Sequence, residues 1–280
     1  MAEILRRHVA LGAGAGDDAV SIAELYHENT KLYRSAAIAA PADEAGLPRY
    51  GVQELEAMAR AYKRYRHHPQ VPLPPATRQC TAAFETVVTQ RRTERSFAVS
   101  EPVALEDLAT LLRWTYGVSG AIPMRGGGLQ PLRAAPSAGA LYPAEIYLGV
   151  RLVDGLEPGL YHFEVPAESL ARLEHGDPSE RIASVCCDQP HAREAALVVL
   201  VSAVTMRTRR KYGERGYRYA LLDIGHLGQN LCLAGAALDL AVVTTCGFFD
   251  DEGADLLGID GIDEALMYVA FVGRIDRRAA

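Results

Sequence analysis

Apolar positions along the chain follow two rhythms. From Leu105 to Tyr116 they recur at helical spacing, with Leu105, Leu108, Leu111, Leu112 and Thr115 on one broad face, which predicts an amphipathic helix. Phe84 to Arg91 predicts a shorter helix. Glu145 to Leu152 alternates as a strand, and Gly159–Glu164 and Leu170–Gly176 flank a polar turn as a hairpin would. Ala195 to Val204 is almost wholly apolar and β-branched, the pattern of a central strand buried on both faces. Tyr217 to Leu238 is long and apolar on several sides, so it predicts a core helix, and Ala234, Gly235, Ala236 and Ala237 permit close approach. Leu240–Thr245 and Leu266–Val272 complete the strands, and the mixture indicates an α+β layered fold without repeats.

Residues 1–80 have the character of an appended helical region. Ser21 and Glu24 have capping-box spacing, and Gln53 to Arg66 carries Leu55, Met58, Ala59, Tyr62 and Tyr65 near helical spacing. Pro69, Pro72, Pro74 and Pro75 then impose an extended connector, with His67 and His68 expected in solvent. Within residues 81–280, the stretch from Gly117 to Pro143 is rich in Gly and Pro and predicts a long loop of the functional kind.

Composition narrows the function. Of 280 residues 49% are hydrophobic, enough for a substantial core, and the net charge of −6 disfavours nucleic acid and anionic membrane as partners. No apolar run approaches a bilayer span, and the start lacks a secretory signal, so a cytoplasmic protein is expected. Cys80, Cys186, Cys187, Cys232 and Cys246 show no C-x-x-C spacing, which argues for reduced, packed thiols.

Two segments carry candidate chemistry. Arg91, Arg92, Thr93 and Arg95 follow a helix; guanidinium forks suit phosphate oxygens, although a basic helix end also complements the helix dipole. Pro136-Ser137-Ala138-Gly139-Ala140-Leu141-Tyr142-Pro143 has no charge and small residues, so its backbone can lie against a planar ligand or form a simple turn. A G-x-S-x-G elbow is absent, which disfavours Ser137 as a hydrolase nucleophile, and no G-x-G-x-x-G follows a strand. Arg207, Arg209, Arg210, Lys211, Arg215 and Arg218 form a basic run, most simply a solvated face.

The Arg91–Arg95 element and the Pro136–Pro143 loop together resemble the nitroreductase family. The wording P-S-A-G-A-L-Y-P, with Tyr26-His27-Glu28-Asn29-Thr30-Lys31, Lys211-Tyr212-Gly213 and Asp223-Ile224-Gly225-His226, is similar to its SagB-type, McbC-like branch of thiazoline/oxazoline dehydrogenases. Thr93 departs from the usual Ser but keeps the hydroxyl. The resemblance implies a central mixed, mainly antiparallel sheet flanked by helices, and FMN bound between two identical subunits. Arg91, Arg92, Thr93 and Arg95 would hold its phosphate, ribityl and pyrimidine edge, with Arg274 at the phosphate. Pro136, Ser137, Ala138 and Gly139 would cover the flavin from the partner, and Gly247 would present a backbone N–H beside Cys246, whose role stays open. Lys211 and Tyr212 would be catalytic, and His226 structural within the core helix. The implied reaction is oxidation of an azoline in a peptide or carrier-bound intermediate, with dioxygen as acceptor and a cyclodehydratase or synthetase as partner. The alternatives are an NAD(P)H-dependent nitro or quinone reductase and a flavin-binding scaffold subunit.

Overall fold

A computed structural model of the protein describes residues 22–31, 62–75, 81–124 and 128–277. Seven strands form one sheet: β1 (Gln70–Pro72), β4 (Ala144–Val150), β5 (Gly159–Glu164), β6 (Ser169–His175), β7 (Leu197–Val204), β8 (Leu240–Thr245) and β9 (Glu264–Arg274). Their order is β1-β6-β5-β4-β7-β9-β8, and every pairing between these strands is antiparallel, with an isolated parallel bridge between Val103 and Val153 outside them. The helices are α1 (Ile22–Asn29), α2 (Phe84–Gln90), α3 (Leu105–Tyr116), α4 (Ser179–Val185), α5 (His191–Glu194), α6 (Met206–Tyr212), α7 (Arg215–Ala237) and α8 (Asp250–Leu257).

The period-two alternation of β7 explains its unbroken apolar run. Val199 and Val201 face a core made with Leu108, Leu111 and Leu112 of α3 and Leu227 and Leu231 of α7. Val198 and Leu200 face the other core, with Ile182 of α4 and Leu257 of α8. Close approach of α7 to β8 depends on Gly235, where an added methyl would clash with Val242.

Several expectations change. The Gly117–Pro143 stretch contains a separate hairpin, β2 (Val118–Pro123) with β3 (Leu129–Arg133), then a 3-10 turn at Ala138–Ala140. Gly and Pro mark its bends, and they masked the strand pattern. Tyr62 to Arg66 are not helical; Ser21 and residues 53–61 lie outside the described residues. The proline-rich connector is no free linker, because β1 pairs with β6 and His68 Nδ1 lies 3.1 Å from the Arg172 carbonyl. Proline is tolerated there because β1 is an edge strand. α7 is not apolar-buried all round: Leu221, Leu222 and His226 are exposed, so His226 is not a core histidine. No described helix is long and apolar enough to cross a membrane.

Candidate functional site

The site loop is held from beneath by α7. Ser137 Oγ donates to Asp223 Oδ2 at 2.5 Å, and the Ala138 N–H reaches Asp223 Oδ1 at 3.3 Å. Asp223 is buried; burial raises its pKa, and the Ser137 and Ala138 hydrogen bonds oppose that rise. Past this anchor the backbone enters the left-handed region at Gly139 (φ +65), Ala140 (φ +53) and Tyr142 (φ +46). For the two non-glycine residues this costs of order 1–3 kcal/mol each, and such strain persists only where the surroundings over-determine it. Tyr142 is fixed at three points. Its N–H donates to Ser137 Oγ (2.9 Å), its carbonyl accepts from Arg207 Nη1 (3.0 Å), and its hydroxyl accepts the Arg133 N–H (3.0 Å).

Lys211 and Tyr212 close the last turn of α6, which follows β7 directly, and they come to this loop. A Cβ placed on Gly139 would lie 2.7 Å from Tyr212 Oη and 2.9 Å from Lys211 Nζ. Any side chain there would therefore displace the pair, which gives Gly139 a role besides its positive φ. The Tyr212 ring meets Tyr219 edge-on at 4.8 Å, and Lys211 Nζ lies 5.5 Å from the Tyr212 ring centroid. Burial lowers the Lys211 pKa, because the ammonium loses hydration.

The expected solvated basic face is instead a set of paired arginines. Arg207 meets Glu145 at 2.5 Å and Arg209 meets Glu214 at 2.6 Å. Arg215 and Arg218 donate to the Thr30 and His27 carbonyls at the end of α1, at 2.8 and 2.6 Å. Helix C-terminal carbonyls want such donors, a demand that charge spacing in α6 and α7 alone does not reveal.

A second group stands at the other end of the sheet. The chain after α2 bridges to the end of β9, Phe97 opposite Ile275, which brings Ser96–Ala98 beside Arg274. Arg91, Thr93 and Arg95 make no side-chain hydrogen bond or ion pair with a described residue. Arg92 behaves differently. Its Nη1 turns back to the Thr89 and Arg91 carbonyls, both at 2.8 Å, so it caps the end of α2. Arg274 is oriented by buried Asp107 (2.8 Å) and the Pro102 carbonyl (3.3 Å). Gly247 and Cys246 do not stand with this group, because Leu240 pairs with Arg274 whereas Thr245 pairs with Val269, nearer the loop end of β9. Gly247 donates its N–H to Thr245 Oγ1 at 2.9 Å, and Cys246 Sγ lies 3.8 Å from the Met267 carbonyl with its thiol pKa raised by burial. The unspent guanidiniums of Arg91 and Arg95, with the Thr93 hydroxyl, fit a phosphorylated planar cofactor in donor chemistry.

Within one chain the two groups lie apart. Asp223 holds the loop, whereas Arg91 acts on Cys232 further along α7; nine residues at 1.5 Å each is about 14 Å. The loop enters β4 at Ala144, level through Ala203 with Ala265, and Arg274 is nine residues on, about 30 Å along β9. Asp223, Glu145 and Arg207 were not legible as site residues from sequence. One signal was present, the lone charge of Glu145 at the head of an apolar strand.

A model of the nitroreductase family matches residues 88–274. The nitroreductase-like protein MJ1384 of Methanocaldococcus jannaschii is 35% identical over 186 residues, which cover 66% of this chain and 89% of that protein. The microcin B17-processing protein McbC of Escherichia coli is 29% identical over 160 residues, 51% of this chain; the match spans 55% of McbC, about half its length. Among solved structures, a nitroreductase-like protein from Anabaena variabilis superposes with TM-score 0.71 and 30% identity, over 91% of this chain and 46% of that one. A chain of the Escherichia coli microcin synthetase McbBCD complex with truncated pro-MccB17 superposes with TM-score 0.57 and 19% identity, over 96% and 97%.

Proposed function

The chain belongs to the nitroreductase family of flavin oxidoreductases, and from that premise we propose that it is an FMN-dependent dehydrogenase of azoline rings carried on a peptide or carrier. The observation that carries this reading is the convergence of Lys211 Nζ and Tyr212 Oη on Gly139, in the loop proposed to cover the flavin. Aromatising an azoline removes a hydride from one ring carbon and a proton from its neighbour. Bound FMN would supply the hydride acceptor, and dioxygen would take the electron pair from it. The proton needs a positioned base, typically worth about 10²–10⁴-fold in rate. Lys211 suits that role because burial favours its neutral amine, and Tyr212 beside it can relay or orient the proton.

Arg91, Thr93, Arg95 and Arg274 of one copy would hold the cofactor phosphate and edge, and the Pro136–Gly139 loop of a second copy would close over it. The separation of the two groups within a chain supports a homodimer with shared sites. Likeness to a microcin B17-processing protein supports a peptide substrate and a synthetase partner.

The test is incubation of the FMN-loaded protein, in air, with a synthetic peptide bearing one thiazoline. Mass spectrometry should show a loss of two hydrogens from the peptide, and Lys211→Ala should abolish it while keeping the flavin. The likeness to MJ1384 favours a second reading, an NAD(P)H-driven reductase. An unchanged peptide mass together with steady NADPH consumption on menadione would replace the first reading by the second.

A further inference from the structure

We infer that Arg207, locked by the buried Glu145–His162 pair, is the positioning residue that sets Lys211 and Tyr212 against the site loop; this rests on the reading of Lys211 and Tyr212 given above. Arg207 lies four residues before Lys211 on α6, hence on the same helix face. Its fork has two anchors on two other elements: Nη1 donates to the strained Tyr142 carbonyl at 3.0 Å, and Nη2 meets Glu145 Oε1 at 2.5 Å on β4. Both members of the ion pair are nearly buried, with side chains 10% and 4% exposed. The other Glu145 oxygen is taken by His162 Nε2 at 2.9 Å, from a fully buried ring on β5.

The guanidinium is tethered at two points, by a hydrogen bond to the Tyr142 carbonyl and by charge pairing with Glu145, and two tethers restrict its orientation more than a single contact can. Three elements thus share one hinge pin. Strand β4 supplies the charge, the loop supplies the carbonyl, and α6 supplies the arm and, one turn later, the Lys–Tyr pair. Without it, Tyr142 would lose one of its three restraints, and α6 its link to the loop through Arg207. Among the described residues His162 Nδ1 has no hydrogen-bond partner, so His162 is held through Glu145 and the flanking rings of Tyr65 and Tyr147, each 5.0 Å away.

The experiment uses FMN-loaded full-length protein and two readouts: steady-state kinetics on the thiazoline peptide, and the acylation rate of Lys211 by acetic anhydride, followed by peptide mass spectrometry. Glu145→Gln keeps the shape of the carboxylate and removes its charge. It should lower kcat by about a hundredfold with KM unchanged, the cost of a misplacement of about 1 Å, and raise Lys211 acylation severalfold. Arg207→Lys keeps the ion pair but gives up the second anchor, so it should fall between; it also carries the test alone if Glu145→Gln does not fold. Arg209→Gln breaks an exposed pair on the same helix and should leave both readouts at wild type. Wild-type Lys211 acylation in both Glu145→Gln and Arg207→Lys would overturn the inference. Raised acylation with undiminished dehydrogenation would uphold the positioning and contradict the catalytic reading of Lys211.

Discussion

Burial lowers the Lys211 pKa, so the base-competent neutral amine becomes available at a pH below the ordinary lysine range. The rate of dehydrogenation should therefore climb with pH along a limb that Lys211 governs, and Lys211→Ala should remove the limb together with about 10²–10⁴ of kcat. A limb that persists in flavin-loaded Lys211→Ala would assign it to another group. Glu145 gives a separate signature in stability. Burial pushes its pKa up, but Arg207, His162 and Arg133 prevail and hold it at about 2, against an ordinary value of 4.5. A depressed carboxylate contributes its stability above the unfolded value, here on the order of 3 kcal/mol, and loses it as pH falls from about 4.5 towards 2. Melting curves should show Tm dropping across that window in the wild type and a shallower drop in Glu145→Gln. Lys211, Tyr212 and the loop were legible in the sequence because they form contiguous wording. Asp223, Glu145 and Arg207 were not, since an ion pair between residues 62 positions apart and a hydroxyl–carboxylate bond across 86 leave no local pattern.

At the scale of elements, the segment preceding the core is tied into it. Lys63 Nζ reaches Tyr147 Oη (2.6 Å) and Glu264 Oε2 (2.7 Å), Ser202 donates to Glu264 at 2.6 Å, and the Tyr65 N–H donates to Glu164 at 2.8 Å. Removing residues 1–80 would strip Lys63 from Glu264 and the Tyr65 N–H from Glu164, both nearly buried carboxylates, so the truncation should destabilise the sheet as well as affect the substrate. Lys63→Ala isolates the effect. Losing a charged hydrogen-bond donor costs about 1.5–3 kcal/mol, a Tm decrease of roughly 3–12 °C at 2–4 °C per kcal/mol. An unchanged Tm would show that Lys63 merely rests on the sheet. Periodicity found α3, β5 and β8 to the residue and α2, α7, β4, β6, β7 and β9 within about two residues, because their apolar faces are complete. It gave no α4, α5 or α8, which are short, and no β1, where prolines hid the strand. It missed α6, where six of seven residues are polar or basic (Arg207, Thr208, Arg209, Arg210, Lys211, Tyr212) and the pairing that orders them comes from β4, the loop and α7. It also missed the β2–β3 hairpin, in which β2 is largely exposed and β3 only half-buried.

For the whole molecule, the separation of Arg91 and Arg274 from the Pro136 loop predicts subunit complementation. Arg91→Ala would lose the cofactor grip, and Lys211→Ala the base, so each homodimer should be impaired. A mixed dimer should regain about half of wild-type activity if sites are shared, since one of its two sites then carries both defects and the other none. No recovery on mixing would place both groups in one chain's site. The central claim, that this protein draws a hydride and a proton from an azoline, is tested most directly by an anaerobic single turnover. The FMN-loaded wild type is mixed with one equivalent of thiazoline peptide without any reduced nicotinamide, and flavin absorbance and peptide mass are followed together. The account predicts bleaching of the oxidised flavin in step with appearance of the thiazole, and both slowed to near zero in Lys211→Ala. Flavin that stays oxidised with the peptide, yet bleaches with NADPH alone, would contradict it.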